Sequence, residues 1–180
     1  MKRSEFDHAI RAAGSILGES EILVFGSQAV HGSLTDDLPD EAQRSIEVDI
    51  VAFDDSDARK ADLIDGSIGE ASLFHETFGF YAEGVSETTA VLPDGWRDRL
   101  VRYESLLTGG VVAWCLDLHD LWLAKAVAGR PKDIEFCRAF VHEGHVDPDL
   151  LRERFKSISG LTDPVITAVS SLIDTTSHNR

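Results

Sequence analysis

The chain has little of several things that would classify it at once. Among 180 residues there are two cysteines, one methionine and five prolines. Cys115 and Cys137 both lie in apolar stretches, so a disulfide framework is not the source of stability. No apolar run approaches the ~20 residues of a membrane-spanning helix. The opening MKRSEFDH enters an amphipathic pattern without the unbroken apolar stretch of a secretory signal, so the expectation is a cytoplasmic protein with no membrane partner. Positive charge is scarce: 17 Lys and Arg stand against 32 Asp and Glu, a formal net charge of −15. Bulk DNA binding is disfavoured, because counterion release needs clustered cations facing phosphates. The GxSxG elbow, the Walker loop and the HExxH zinc helix are all missing from the sequence.

What is there describes a globular chain. The apolar fraction of 43% and charged fraction of 27% are ordinary, and a chain of this length buries roughly 70% of its unfolded surface. Charge is uneven along it. Residues 1–90 hold 6 Lys and Arg against 19 Asp and Glu, whereas residues 91–180 hold 11 against 13, so a polyanionic substrate is expected on the second half.

The periodicities give a coarse path. Ser4 reads as the N-cap of a helix over residues 4–17, which Gly18 ends. A strand over 22–25 stops at Gly26-Ser27, and a helix is expected over 28–34. After an acidic, turn-rich stretch (35–45), SIEVDIVAF (45–53) alternates as a strand and is assigned to the centre of the sheet. A helix over 57–68, capped from Asp54, Asp55 or Ser56, precedes short strands over 78–82 and 88–92. Residues 100–107 and 111–116 have the form of a hairpin. Four helices follow, over 118–128, 131–143, 148–158 and 164–175, three with proline in the first turn. The pattern predicts an α+β fold with a mixed sheet, flanking helices and a helical C-terminal part. The boundary falls near Asp117, with a core over 1–116 and helices over 117–180 packed on it as one compact domain.

Three segments carry residues suited to chemistry. In SIEVDIVAF a period of two puts Glu47 and Asp49 on one face of an otherwise apolar strand, where a hard divalent cation would neutralise them; a solvated edge face is the alternative. VFGSQAVHG (24–32) places Gly26 and Ser27 at a strand-to-helix junction, where backbone N–H groups favour phosphate, although such junctions are also common turns. LWLAKAVA (121–128) is apolar on every face except at Lys125, which shares a stripe with Leu118, Leu121, Trp122 and Ala128. That lysine needs an anionic ligand or a carboxylate, with Asp120 and Asp133 as structural partners. Asp133 follows Pro131 in the first turn of the next helix, where it is equally suited to capping. Arg97, Arg99 and Arg102 either touch phosphate or offset the acidic first half. HEGH (142–145) has zinc-like spacing, but Gly144 ends its helix, and His31 and His75 have no ligand partners at a diagnostic spacing.

A Gly-Ser turn opening a helix, then an acidic pair at i, i+2 on the next strand, resembles the nucleotidyltransferase superfamily. DLHDLWLAKAVAGRPKDIEF (117–136) looks like the lysine-then-aspartate motif of AbiEii-type and MenT-type nucleotidyltransferase toxins, and LPDGWRDRL (92–100) is similar to a signature of an uncharacterised nucleotidyltransferase-like subfamily. The likeness spans roughly residues 20–145. It implies that Gly26 and Ser27 meet the nucleotide phosphates, that Glu47 and Asp49 hold Mg2+ or Mn2+, and that Lys125 meets the triphosphate. It also places Asp133 and Asp49 at the catalytic centre, with Arg130 in support. The chain departs from the pattern in carrying Glu47 where Asp is usual and in a longer segment before it. The third carboxylate stays open among Glu83, Asp65 and Glu70. The implied activity is transfer of a nucleotidyl group from an NTP to the 3′ end of tRNA, a protein or another hydroxyl, in a toxin–antitoxin or defence setting with a partner protein. A catalytically inactive binding module on the same fold, acting as antitoxin or scaffold, is the competing class; a phosphohydrolase would need His-Asp clusters that the sequence lacks.

Overall fold

The computed structural model describes residues 1–35 and 38–177; of the acidic stretch 35–45, positions 36 and 37 lie outside the described residues. Helix α1 (Arg3–Leu17) forms because Phe6, Ala9, Ile10 and Ala13 recur on one face, and all four are buried. Its N-cap is Lys2 and not Ser4: Glu5 reaches back and accepts from the Lys2 backbone N–H at 2.7 Å, which moves the helix start upstream.

Among the described residues five strands make one mixed sheet: β1 (Glu21–Phe25), β2 (Glu47–Val51), β3 (Tyr81–Gly84), β4 (Val101–Tyr103) and β5 (Val112–Cys115), in the order β3-β2-β1-β5-β4. β1 runs antiparallel to β2 and parallel to β5, β2 runs parallel to β3, and β4 runs antiparallel to β5. The 45–53 segment therefore lies one place off the centre. The middle belongs to β1, whose last four residues are all buried, whereas β2 keeps two partly exposed carboxylates.

The other α-helices among the described residues are α2 (Val30–Ser33), α3 (Asp40–Gln43), α4 (Arg59–Ile68), α5 (Leu73–Phe78), α6 (Leu118–Ala128), α7 (Pro131–His142), α8 (Pro148–Phe155) and α9 (Asp163–Ser177). The fold is α+β. α1 packs on α4, while α6 packs on α7, α8 and α9. One continuous apolar cluster runs from Phe6 and Ile10 through the sheet to Trp122, Phe140 and Ile173. Trp122 donates its indole N–H to the Cys137 carbonyl at 2.9 Å, which fixes α6 against α7. Both cysteines are free and buried. No described helix is long and apolar enough to cross a membrane.

Some local expectations change. Residues 88–92 are not a strand: Ser86 Oγ accepts from the Thr88 backbone N–H at 3.2 Å, and this side-chain cap turns Glu87–Thr89 into a 3₁₀ turn. The strand expected over 78–82 begins at Tyr81, because Ser72 caps α5 and Gly79, at φ 78°, ends it. The helix expected over 28–34 is split into a 3₁₀ turn (Ser27–Ala29) and the four-residue α2. α4 is capped from a distance, with Asp55 accepting from the Lys60 and Ala61 backbone N–H groups at 2.9 and 2.8 Å.

Candidate active site

Glu47 and Asp49 alternate with buried Val48 and Ile50, so both carboxylates leave the same face of β2. The parallel register with β3 sets Tyr81 beside Glu47 and Glu83 beside Asp49. One oxygen from each of Glu47, Asp49 and Glu83 lies within 4.8 Å of the others. Tyr81 Oη donates to Glu47 Oε2 at 2.8 Å. Burial, and then the charge of Glu47, pushes the Asp49 carboxyl up to about 6, with Lys125 opposing and Glu83 adding. Partial desolvation and Glu47 also raise the Glu83 carboxyl, and burial followed by the bond to Glu47 raises the Tyr81 phenol.

β1 ends against this array. Phe25 pairs with Asp49 across the ladder, and Gly26 then turns the chain at φ 61°, ψ −167°, a conformation costly for any residue with a Cβ. A Cβ at position 26 would sit 1.7 Å from Asp49 Oδ2, so the carboxylate occupies the room that glycine leaves. The turn and α2 that follow are too short to lend much dipole to an anion, but side-chain cations stand close by.

Those cations come from α6 and α7. Gly129, at φ 65°, ends α6 and Pro131 opens α7, so Lys125 and Asp133 face each other across the break. Asp133 is fully buried and Lys125 is 8% exposed. Lys125 Nζ lies 3.3 Å from Asp133 Oδ1 and 4.9 Å from the centre of the Phe136 ring. Arg130 donates through Nε to Asp133 Oδ2 at 2.6 Å and through Nη2 to Oδ1 at 3.3 Å. Burial alone would raise the Asp133 carboxyl, but the Arg130 hydrogen bond and the Lys125 charge outweigh it and hold the group below its ordinary range. The same Arg130 guanidinium is held further up by Asp133 first, then by Asp49 and Glu47, which links the cationic side to the acidic one.

Ser27, Glu47, Tyr81, Lys125, Asp133 and Phe136 line one cavity of about 290 Å³. Size does not select it: a larger apolar cavity of about 460 Å³ lies at α8 and α9, away from every candidate residue. Charge and donor type select it. Three converging carboxylates are the donor set of a hard divalent cation, and Glu47, Asp49 and Glu83 could hold one.

The structure thus brings Gly26, Ser27, Glu47, Asp49, Lys125, Arg130 and Asp133 to one neighbourhood. Among the third-acid candidates it is Glu83 that joins the pair, while Asp65 accepts from the Gly84 backbone N–H at 2.7 Å. Asp120 is not the partner of Lys125; it accepts from Arg99 and Arg154. Arg97, Arg99 and Arg102 do not form a phosphate site, since they pair with Glu87, Asp120 and Glu104. Tyr81 and Phe136 escaped the sequence reading. Tyr81 had no local signal, because only the β2–β3 register sets it beside Glu47, whereas Phe136, at helical spacing from Asp133, was readable.

No curated protein and no solved structure matches the chain. A family model does, described as a nucleotidyltransferase of unknown function (DUF6036), over residues 4–165. That match runs from α1 into α9 and takes in both the carboxylate strands and the lysine–aspartate helix pair. The acidic cluster on an α+β sheet and the conformation at Gly26 agree with it, and the chain belongs to this nucleotidyltransferase family.

Proposed function

We propose that this protein is a cytoplasmic, divalent-cation-dependent enzyme that transfers a nucleotidyl group from an NTP to a hydroxyl acceptor. The observation that carries the reading is the cluster of Glu47, Asp49 and Glu83, with Gly26 against Asp49, at a cavity that Glu47 lines together with Ser27 and Lys125. Bound Mg2+ or Mn2+ would supply Lewis-acid stabilisation of charge on the phosphoryl oxygens. Glu47 and Asp49 hold the ion from β2, with Glu83 closing the set from β3. Gly26 and Ser27 admit the phosphates close to the backbone, and Lys125 faces the triphosphate. Asp133 touches no reacting atom in this scheme; it positions Lys125 and Arg130. The acceptor oxygen bonds to the α-phosphorus, the bond to the bridging oxygen breaks, and pyrophosphate leaves against Lys125 and Arg130. The hydroxyl proton passes to water as the new P–O bond forms.

The first acceptor to test is the 3′ end of tRNA, as in the MenT-type toxins that residues 117–136 resemble. Lys132 lines the same cavity and offers an acidic chain a cation for a phosphodiester, beside Arg44, which pairs with Glu41 and Glu135 at 3.7 and 3.8 Å. A protein or small-molecule hydroxyl is the alternative acceptor, and a toxin–antitoxin locus would supply a partner protein. The test is incubation with each of the four labelled NTPs, Mg2+ or Mn2+, and either total RNA or RNA-free lysate. Wild type should move label to an acceptor and Asp49→Asn should not. Cation-dependent NTP binding with no transfer in any arm would replace the enzyme with a noncatalytic binding module on the same fold.

A further inference from the structure

Glu47 is the acid of the cluster with the longest arm on the face it shares with Asp49, and a free glutamate in that place has every reason to leave. Two further carboxylates lie within 4.8 Å of it, and its own strand holds it only by the backbone. What holds it is a hydroxyl. Tyr81 stands directly beside Glu47 in the parallel β2–β3 register and donates to Oε2 at 2.8 Å. The tyrosine is itself braced, with its ring centroid 4.8 Å from that of His75 on α5, and it lines the same cavity as Lys125. We infer that Tyr81 is a positioning residue for the cation site: its hydroxyl occupies Oε2 and aims Oε1 at the ion, so that Glu47 binds through one oxygen in a fixed orientation. This rests on the reading of Glu47, Asp49 and Glu83 as a divalent-cation site.

The chemistry favours such a brace. A carboxylate that accepts one hydrogen bond keeps lone pairs for a cation, whereas one bonded to an ammonium or guanidinium would lose much of its charge to the partner. Tyr81 supplies a neutral donor where a cation would compete with the metal. Its position also explains how a glutamate serves on β2 beside the shorter Asp49: the extra methylene carries the carboxylate to the level of a hydroxyl on the neighbouring strand.

The experiment titrates Mn2+ into the purified full chain without nucleotide and follows free Mn2+ by its electron paramagnetic resonance. Wild type should bind, and Tyr81→Phe should bind about 10-fold to 100-fold more weakly, the usual loss when a partner of a metal ligand is removed. The thermal midpoint without metal controls for folding, and Tyr81→Phe keeps the ring and its packing. Glu47→Asp withdraws the carboxylate from the hydroxyl, so it should weaken binding too. In the Glu47→Asp background, Tyr81→Phe should then add nothing. Equal affinity in wild type and Tyr81→Phe, or fully additive losses in the double variant, overturns the positioning role and leaves the cation site standing. No Mn2+ binding by wild type removes the cation site and this inference together.

Discussion

Gly26 and Asp49 share one volume: the place where a Cβ on residue 26 would sit lies 1.7 Å from Asp49 Oδ2. The turn after β1 and the acid of β2 are therefore a single steric unit, and glycine is required twice, once for the contact and once for φ 61° with an extended ψ.

Gly26→Ala should therefore lower stability by at least about 1–3 kcal/mol from backbone strain alone, with displacement of Asp49 adding to it. Urea denaturation gives the first quantity and Mn2+ titration the second. Adding Asp49→Ala to Gly26→Ala should recover the part due to the clash and none of the metal binding. Unchanged stability and affinity in Gly26→Ala would contradict the steric unit.

The pair Lys125 and Asp133 leads to a ranking. In Lys125→Met the buried Asp133 keeps Arg130 as a partner at 2.6 Å, whereas Asp133→Ala leaves a lysine that is 8% exposed with an aromatic ring and the charge of Asp49 but no hydrogen-bonded carboxylate in place of Asp133. Removing one partner of a buried pair costs about 3–5 kcal/mol when no substitute is near. Stability at pH 7 should thus fall in the order wild type, Lys125→Met, Asp133→Ala. Both variants should also reduce nucleotidyl transfer by about 10² to 10³, as loss of one charge-stabilising group commonly does. The reverse stability order would show that Lys125 does not depend on Asp133.

How much of this the sequence disclosed depends on how local each signal is. The alternation in SIEVDIVAF has a period that only a strand explains, so the shared face of Glu47 and Asp49 was legible. Gly129 and Pro131 punctuate the chain between two apolar periodicities, so the helix pair carrying Lys125 and Asp133 was legible too. Tyr81 was not, and Glu83 was legible only as one of three candidates for the third acid, because their place is set by a parallel register across an intervening helix pair, and nothing within β3 encodes it. The misplaced strand at 88–92 failed for the opposite reason: Thr88, Thr89 and Val91 favour extended structure, but Ser86 offers the backbone a closer partner.

Asp120 supports a prediction away from the site. It is fully buried and accepts from Arg99 Nε at 2.8 Å and Arg154 Nη1 at 2.9 Å, which ties the segment before β4, α6 and α8 together. The side chains of Arg99 and Arg154 are 28% and 15% exposed, so water relieves them only in part. Asp120→Asn should cost about 3 kcal/mol in chemical denaturation. Mn2+ affinity of the folded variant should match wild type, since none of these groups belongs to the carboxylate cluster. Lost affinity at wild-type stability would place Asp120 in the site after all.

The last prediction concerns Asp49 and pH. Its carboxyl is raised to about 6 in the fold from an ordinary 3.8, chiefly by burial and by Glu47. Between those values the folded chain binds more protons than the unfolded one, so this group's contribution to stability declines as pH rises from about 4 to 6 and is flat above. The difference amounts to roughly 3 kcal/mol at pH 7, at about 1.4 kcal/mol per pH unit. Asp49→Asn should therefore stabilise the metal-free protein at pH 7 to 8 and lose that advantage towards pH 4. His31 acts in the opposite sense. Burial and the nearby Arg3 charge lower it to about 4 from 6.5, so wild-type stability also falls as pH drops through that window. Taking the difference between wild type and Asp49→Asn at each pH cancels the His31 contribution. Cation binding must displace the same proton, so Mn2+ affinity of the wild type should climb as pH rises through about 6 and level off near 7. An affinity independent of pH from 5 to 7, or an Asp49→Asn protein less stable than wild type at pH 8 without metal, would show that Asp49 is not the strained acid of the cluster.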